Sequence, residues 1–248
     1  MIYNEIYSFC KVKNKGNVFT NTSEMPTPRV QFIIELLEQE EIPYDLNMFS
    51  IPRSSDAEPL FGWNVILMGT SDKMVVAHHD IVNPESDNAN DNSCSVINAI
   101  ALKKLMPELN VVLLDGEEFG GIGSTHLSNQ INEGFFNDIA WVLNLELTGR
   151  GGRSFFVDTS PFGPLMAKIY DVFPDTPYMA VPFNDSMIFR RHGIDSVNIN
   201  PLPLKEDESM DTSILWLCHS MNDSVDKISP IDMKEFVEEV LVPICSEG

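Results

Sequence analysis

Basic residues are scarce in this chain: 16 lysines and arginines stand against 37 aspartates and glutamates in 248 residues, a net charge of −21. Such a field repels nucleic acid and anionic membranes, so neither is expected as a partner, and it favours cationic ligands. Cysteine is sparse too. Cys10, Cys94, Cys218 and Cys245 are scattered without a CxxC pair, which excludes a disulfide scaffold and suits buried free thiols in a reducing compartment. No run approaches the roughly 18 apolar residues of a membrane span. The N-terminal MIYNEIYSFCKVKNKGN lacks the apolar stretch of a signal peptide, so a cytoplasmic location is expected, and the sequons at Asn21, Asn184 and Asn222 read as chance matches. Repeats, low-complexity tracts and Gly/Ser linkers are absent, and 43% hydrophobic content suffices for a core, so residues 1–248 are expected to form one domain. The GxSxG elbow of a serine hydrolase is missing, as is the GK[ST] ending of a phosphate loop.

What is present is an alternation of apolar runs and amphipathic stretches. Thr27-Pro28 starts a helix whose apolar face is Val30, Ile33, Ile34 and Leu37, and Pro43 ends the pattern. Short runs follow at 64–69 and 74–80, then a helix over 93–106, a strand at 110–115, a helix near 122–132 and a strand at 140–149, the longest strand candidate. Further strands are expected in SFFVD, YMAVPF and SVNIN, with a helix around 162–172. The closing helix is capped by Ser229, Pro230 and Asp232 and faces inward through Phe236, Val237, Val240 and Leu241. Strand runs without polar alternation, separated by helices, predict an α/β fold: a three-layer α/β/α sandwich around a central, mostly parallel mixed sheet.

Open α/β sheets bind ligands at the carboxyl ends of their strands. There the sequence places His78, His79 and Asp80, then Asp91 in the loop NANDNS, Glu117 and Glu118 in DGEEFGG, Glu146 after WVLNL, and His219 after LWLC. Each alone has an ordinary structural explanation, as a turn residue, a helix-start carboxylate or a hydrogen-bonded histidine. Glu146 is the exception, because a bare carboxylate ending an apolar strand costs several kcal/mol. Together these acids and imidazoles need positive charge, and N/O donors suit zinc or a similar divalent ion. Two ions sharing a carboxylate use this many ligands better than one. His78 and Asp80, two apart in an extended strand, point the same way, so Asp80 can orient His78, and His79 points elsewhere.

These motifs, in this order, resemble the co-catalytic dinuclear zinc peptidase superfamily: the bacterial leucyl-type aminopeptidases, with carboxypeptidase, deacylase and glutaminyl cyclase relatives. AHHD resembles its first-ligand H-x-D, NANDNS its bridging aspartate, DGEEFGGIGS its GEE-x-G-x-x-GS, NLELTG its fourth-ligand strand, and CHSMNDSVDKI its final H-[ST]-x-x-D-[ST]-x-D-[KR]-[IL]. The match runs from about Val75 to Ile228 and leaves residues 1–60 weakly matched. The resemblance implies two zinc ions held by His78, Asp91, Glu118, Glu146 and His219, with Asp91 bridging, Glu117 as general base, Asp80 supporting catalysis and a cis peptide after Asp91. The implied reaction is hydrolysis of a peptide or aminoacyl amide.

Three departures qualify what is implied. Glu146 stands where many aminopeptidases carry Asp, and Glu is commoner among carboxypeptidases and deacylases. NDSMIF places Asp185 and Ser186 where the family has SDHxxF, so Ser186 replaces a histidine on the substrate side. Only the 72 residues from 147 to 218 separate Glu146 from His219, too few for the large dimerisation insert of two-domain relatives, which favours the compact aminopeptidase branch. Arg150 and Arg153, on the Gly-rich TGRGGRS, are either surface residues or partners for a substrate carboxylate, and Arg190, Arg191 and His192 are expected at the surface. A single-zinc glutaminyl cyclase, an N-acyl amino acid deacylase and an inactive metal-binding scaffold are the alternatives to an aminopeptidase.

Overall fold

The apolar runs pair into one eight-stranded sheet. The computed structural model describes residues 2–13, 19–20, 24–51, 58–136, 138–158 and 163–246; the Asn21 sequon lies outside them. A 3-10 turn leads into α1 (Ile6–Phe9), and α2 (Pro28–Gln39) starts at an extended Thr27 with Pro28 in its first turn. The strands β1 (Asp45–Ile51), β2 (Leu60–Leu67) and β3 (Lys73–His78) follow, then α3 (Cys94–Leu105), β4 (Asn110–Leu114), α4 (Ile122–Asn132) and β5 (Trp141–Leu145). The second half adds β6 (Phe155–Asp158), α5 (Pro164–Val172), β7 (Tyr178–Met179), α6 (Asp185–Arg191), β8 (Ser196–Pro201), α7 (Pro230–Phe236) and α8 (Val242–Cys245). A π turn, Val237–Leu241, joins α7 to α8. It precedes Pro243, which has no N–H to give and crowds the preceding turn of an α-helix.

The sheet order is β1-β2-β4-β3-β5-β8-β6-β7. The central β4, β3, β5 and β8 are parallel, while β2 and β6 flank them antiparallel. Side chains alternate along each strand, so Val75, Ala77, Val111, Leu113, Leu143 and Leu145 face one layer with α1, α2, α3, α5, α7 and α8. Met74, Val76, Val112, Leu114 and Val142 face the other, against Leu127 of α4 and Phe189 of α6. This is the expected three-layer α/β/α sandwich. Fully buried Phe236 anchors the closing helix, and truncating it to alanine would cost about 3–5 kcal/mol. Among the described residues no helix is long and apolar enough to cross a membrane.

Three expectations need correction. The stretch 140–149 forms a strand of only five residues, because side chains take over its ladder: the N–H of Leu147 donates to Asn92 Oδ1 and that of Gly149 to Asn90 Oδ1. YMAVPF is extended in hydrogen-bonded form only at Tyr178–Met179. Arg190 is not a surface residue: its guanidinium lies 2.8 Å from buried Asp158 and also donates to Ser186 Oγ and the Ser196 carbonyl.

Candidate active site

The strand face toward α4 and α6 changes character along its length. Met74 and Val76 on β3 are followed by His78; Val142 on β5 is followed by Asn144 and then Glu146. The apolar half of each strand therefore fixes the polar half at the carboxyl edge. The cavity there holds about 380 Å³ and is lined by His78, Asp91, Glu117, Glu118, Glu146 and His219.

Asp80 organises the DGEE turn. Its Oδ1 lies 3.3 Å from His78 Nδ1, and its two oxygens accept the main-chain N–H groups of Glu117 and Glu118, each at 3.1 Å. Gly116 and Gly121 bracket that turn at φ 81° and 69°, a conformation in which a side chain is strained. Gly123 is small for another reason: a Cβ there would lie 2.2 Å from the Asp115 carbonyl. His79 points away, as its two-residue alternation with His78 requires, and donates from Nε2 to the Trp63 carbonyl at 2.8 Å.

Asp91 directs one oxygen to each histidine. Oδ1 is 3.4 Å from His78 Nε2 and Oδ2 is 3.3 Å from His219 Nε2. Glu146 Oε2 lies 3.5 Å from His78 Nε2, and Glu118 Oε2 lies 3.0 Å from His219 Nε2. Among the described residues the donors form three groups, each with its ligand atoms within 4.8 Å: His78, Asp91 and Glu146; Asp91, Glu118 and His219; and His78, Glu117 and Glu118, the first two sharing Asp91. The Asp91–Asn92 peptide is cis, as the resemblance implies. Leu147 and His219, both on the cavity wall, carry positive φ of 57° and 60°, a conformation that non-glycine residues adopt at a cost and that gathers at functional sites.

The electrostatics show how many negative charges the site concentrates. Burial pushes the Glu117 carboxyl up to about 10 and Glu118 up to about 8, and it raises Glu146. Burial acts on Asp91 in the same direction, but hydrogen bonds with His219 and His78 outweigh it and hold that carboxyl below its usual range. The bond to Asp91 raises His219 to about 9. Glu118 Oε1 is buried without a hydrogen-bond partner. Paired imidazoles, crowded carboxylates and an orphaned oxygen fit divalent cations, which would relieve this repulsion.

The other expected residues lie elsewhere. Arg150 turns from the cavity toward Asp232, at 3.6 Å, and the Lys227 carbonyl. Arg153 pairs with Glu235 and Glu239. Asp185 and Ser186 are fully buried and outside the lining; burial pushes Asp185 up to about 7, and Ser186 Oγ bonds Asn184 and Asp158.

Sequence reasoning assigned no role to several supporting residues. Asp223 accepts the N–H groups of Asn90 and Asp91 through its two oxygens. Asn92 bridges to the Leu145 carbonyl and the Leu147 N–H, tying the Asp91 turn to the Glu146 strand. Fully buried Arg29 donates to the His79 carbonyl and to Ser93 Oγ, tying the end of the His78 strand to the Asp91 turn. No local signal marks these three, because their partners lie fifty or more residues away in the chain.

Such a donor set, at the carboxyl edge of such a sheet, is suited to holding divalent cations. The chain belongs to Peptidase family M28, whose sequence profile matches residues 64–242. Among solved structures it is similar to a zinc aminopeptidase from Bacillus subtilis at 20% identity and TM-score 0.62, over 75% of this chain and 49% of that one. It is also similar to an Acidobacteriales bacterium glutaminyl cyclase at 19% identity and TM-score 0.70, over 98% and 92% of the two chains. A Zn-dependent exopeptidase from Parabacteroides distasonis gives 12% and 0.71, over 99% and 97%. The chain thus spans about half the length of the Bacillus subtilis enzyme and nearly the whole of the other two. No curated protein matches it significantly.

Proposed function

We propose that the protein is an aminopeptidase that holds two divalent ions, zinc by preference, with Asp91 between them, His78 and Glu146 on one side, and Glu118 and His219 on the other. The observation that carries this reading is the splayed Asp91 carboxylate, one oxygen toward each histidine. When bound, such ions lower the pKa of water and polarise the scissile carbonyl. Glu117 lies on the cavity wall, grouped with His78 and Glu118, and in this reading it serves as general base and not as ligand, taking the proton from the attacking water and delivering it to the leaving nitrogen. Asp80 holds His78 and, through the Glu117 and Glu118 N–H groups, the turn that carries the base.

The direction of attack follows from the wall. No lysine or arginine lines the cavity among the described residues, so a substrate carboxylate finds no side-chain cation, whereas an α-ammonium finds acids. Arg150, engaged with Asp232, contributes nothing to the substrate in this reading, and Asp185 and Ser186 support the wall from behind. Glu146 is the feature that speaks for a deacylase instead. A panel of aminoacyl anilides, N-acyl amino acids, C-terminally free peptides and N-terminal glutaminyl peptides, assayed with zinc, separates the readings. Turnover of free-amine anilides that N-acetylation abolishes is expected. Hydrolysis confined to N-acyl amino acids, or cyclisation of glutaminyl peptides, would overturn it.

A further inference from the structure

Three buried asparagines lead from Glu146 across the cavity wall. Asn144 on β5 and Asn198 on β8 are register partners, and Asn200 lies two residues further along the same face. Their exposures are 0%, 1% and 2%. Asn144 Nδ2 donates to Glu146 Oε1 at 3.2 Å and to Asn198 Oδ1 at 2.7 Å, and Asn198 Nδ2 donates to Asn200 Oδ1 at 2.5 Å. The main chain is pinned as well: the Asn198 N–H donates to Asp158 Oδ1, and Arg190 holds the other oxygen of that carboxylate.

The row has a direction. A carboxamide is a donor at one end and an acceptor at the other, so an orientation fixed at one member sets the next. The Asn144 amide nitrogen is turned toward Glu146 Oε1. The sequence of bonds then presents Asn198 nitrogen to Asn200 oxygen and leaves the Asn200 NH₂ group last. Asn200 lines the cavity, and among the described residues nothing accepts from that group. The same cavity carries an apolar stretch of wall, with Leu147, Val181, Phe183 and Leu215, besides its acids, histidines and the amides of Asn184 and Asn198. A buried donor held in one orientation gives specificity, because a ligand lacking the matching acceptor leaves it unpaired.

The geometry points to Asn200 as a specificity-determining residue that donates to a neutral carbonyl oxygen of the substrate, oriented by the Glu146–Asn144–Asn198 row. A donor cannot take the substrate ammonium, and a carboxylate would enter a cavity lined, among the described residues, by four acids and no lysine or arginine. This rests on the exopeptidase reading. The carbonyl belongs either to a side-chain amide on the amino-terminal residue or to the main chain beyond the scissile bond.

Three substrates distinguish those sources: leucyl anilide has neither carbonyl, glutaminyl anilide has the first, and a leucyl dipeptide amide has the second. In Asn200→Leu, the preference for the carbonyl-bearing substrate over leucyl anilide should collapse about 10- to 100-fold in kcat/KM, chiefly through KM. An equal loss on all three substrates, or no loss on any, would overturn the assignment. Because Asn200→Leu also strands the Asn198 amide, a second measurement uses the intact row. In zinc-loaded Glu117→Gln labelled with ¹⁵N-asparagine, the Asn200 side-chain NH₂ resonances should move on adding glutaminyl anilide or the dipeptide amide, and far less with leucyl anilide. Equal shifts with all three would contradict the proposal. If the wild type hydrolyses none of the compounds, the activity reading fails, and the same titration on the wild type still decides the role of Asn200.

Discussion

The two halves of the candidate metal site are built differently. His78 closes a strand that is buried almost throughout, and its side chain is 1% exposed; His219 follows a 3-10 turn, Thr212–Leu217, with no buried residue, and its side chain is 58% exposed. The His78 half is strapped by Asp80, Arg29, Asn92 and Asp223. The His219 half has Glu118 and a shared Asp91. The difference teaches that one sheet edge supplies a fixed subsite and one surface segment completes a second, so the two halves should differ in metal exchange and in their share of the fold's stability.

Glu117 tests the comparison most strongly, since it stands by both halves. Glu117→Gln should lower kcat about 10²- to 10⁴-fold while mass spectrometry or atomic absorption finds the metal content unchanged. Loss of one ion would make Glu117 a ligand of that half. Next is the pair His78→Ala and His219→Ala in metal-free protein. Removing buried His78 leaves Glu146 and Asp80 facing an empty space and should cost about 3–5 kcal/mol in urea unfolding. Removing His219 takes a partner from Asp91 and Glu118 but opens them to solvent that screens their charge, so it should cost only about 1 kcal/mol. Equal costs would erase the distinction.

A third test uses pH. Burial depresses the folded-state pKa of His79 to about 4 from 6.5, so above pH 6.5 both states are neutral and nothing is lost. Below it the unfolded chain takes up a proton that the native state refuses, and up to about 3 kcal/mol disappears by pH 4. Metal-free His79→Gln should escape this share of acid destabilisation, visible as converging unfolding midpoints of the two proteins between pH 7 and 4. Parallel pH profiles would assign the acid sensitivity to other groups. The smallest effect expected is that of Asp223→Asn, which weakens the clamp on the Asp91 turn and should reduce metal affinity about 10- to 100-fold, read by chelator competition.

The same contrast explains what the sequence made legible. His78 and Asp80 were readable from strand alternation, and the layers from unbroken apolar runs. Order and spacing carried the resemblance for Asp91, Glu118, Glu146 and His219. The stretch 140–149 misled because hydrophobicity continues where the ladder stops, and only the Asn90 and Asn92 side chains, some fifty residues earlier, end it. Arg190 was expected at the surface and Arg29 drew no attention, since nothing local announces that a buried Asp158 or a His79 carbonyl awaits them. Long-range polar partners are set by topology, which a linear pattern does not encode.

The central claim is that Asp91 joins a buried and an exposed metal subsite, and a stoichiometric zinc titration followed by calorimetry tests it most directly. The wild type should bind two ions in two resolved steps, His219→Ala should keep the tighter step alone, and Asp91→Ala should lose both. A single ion in the wild type, or the loss of both steps in His219→Ala, would contradict it.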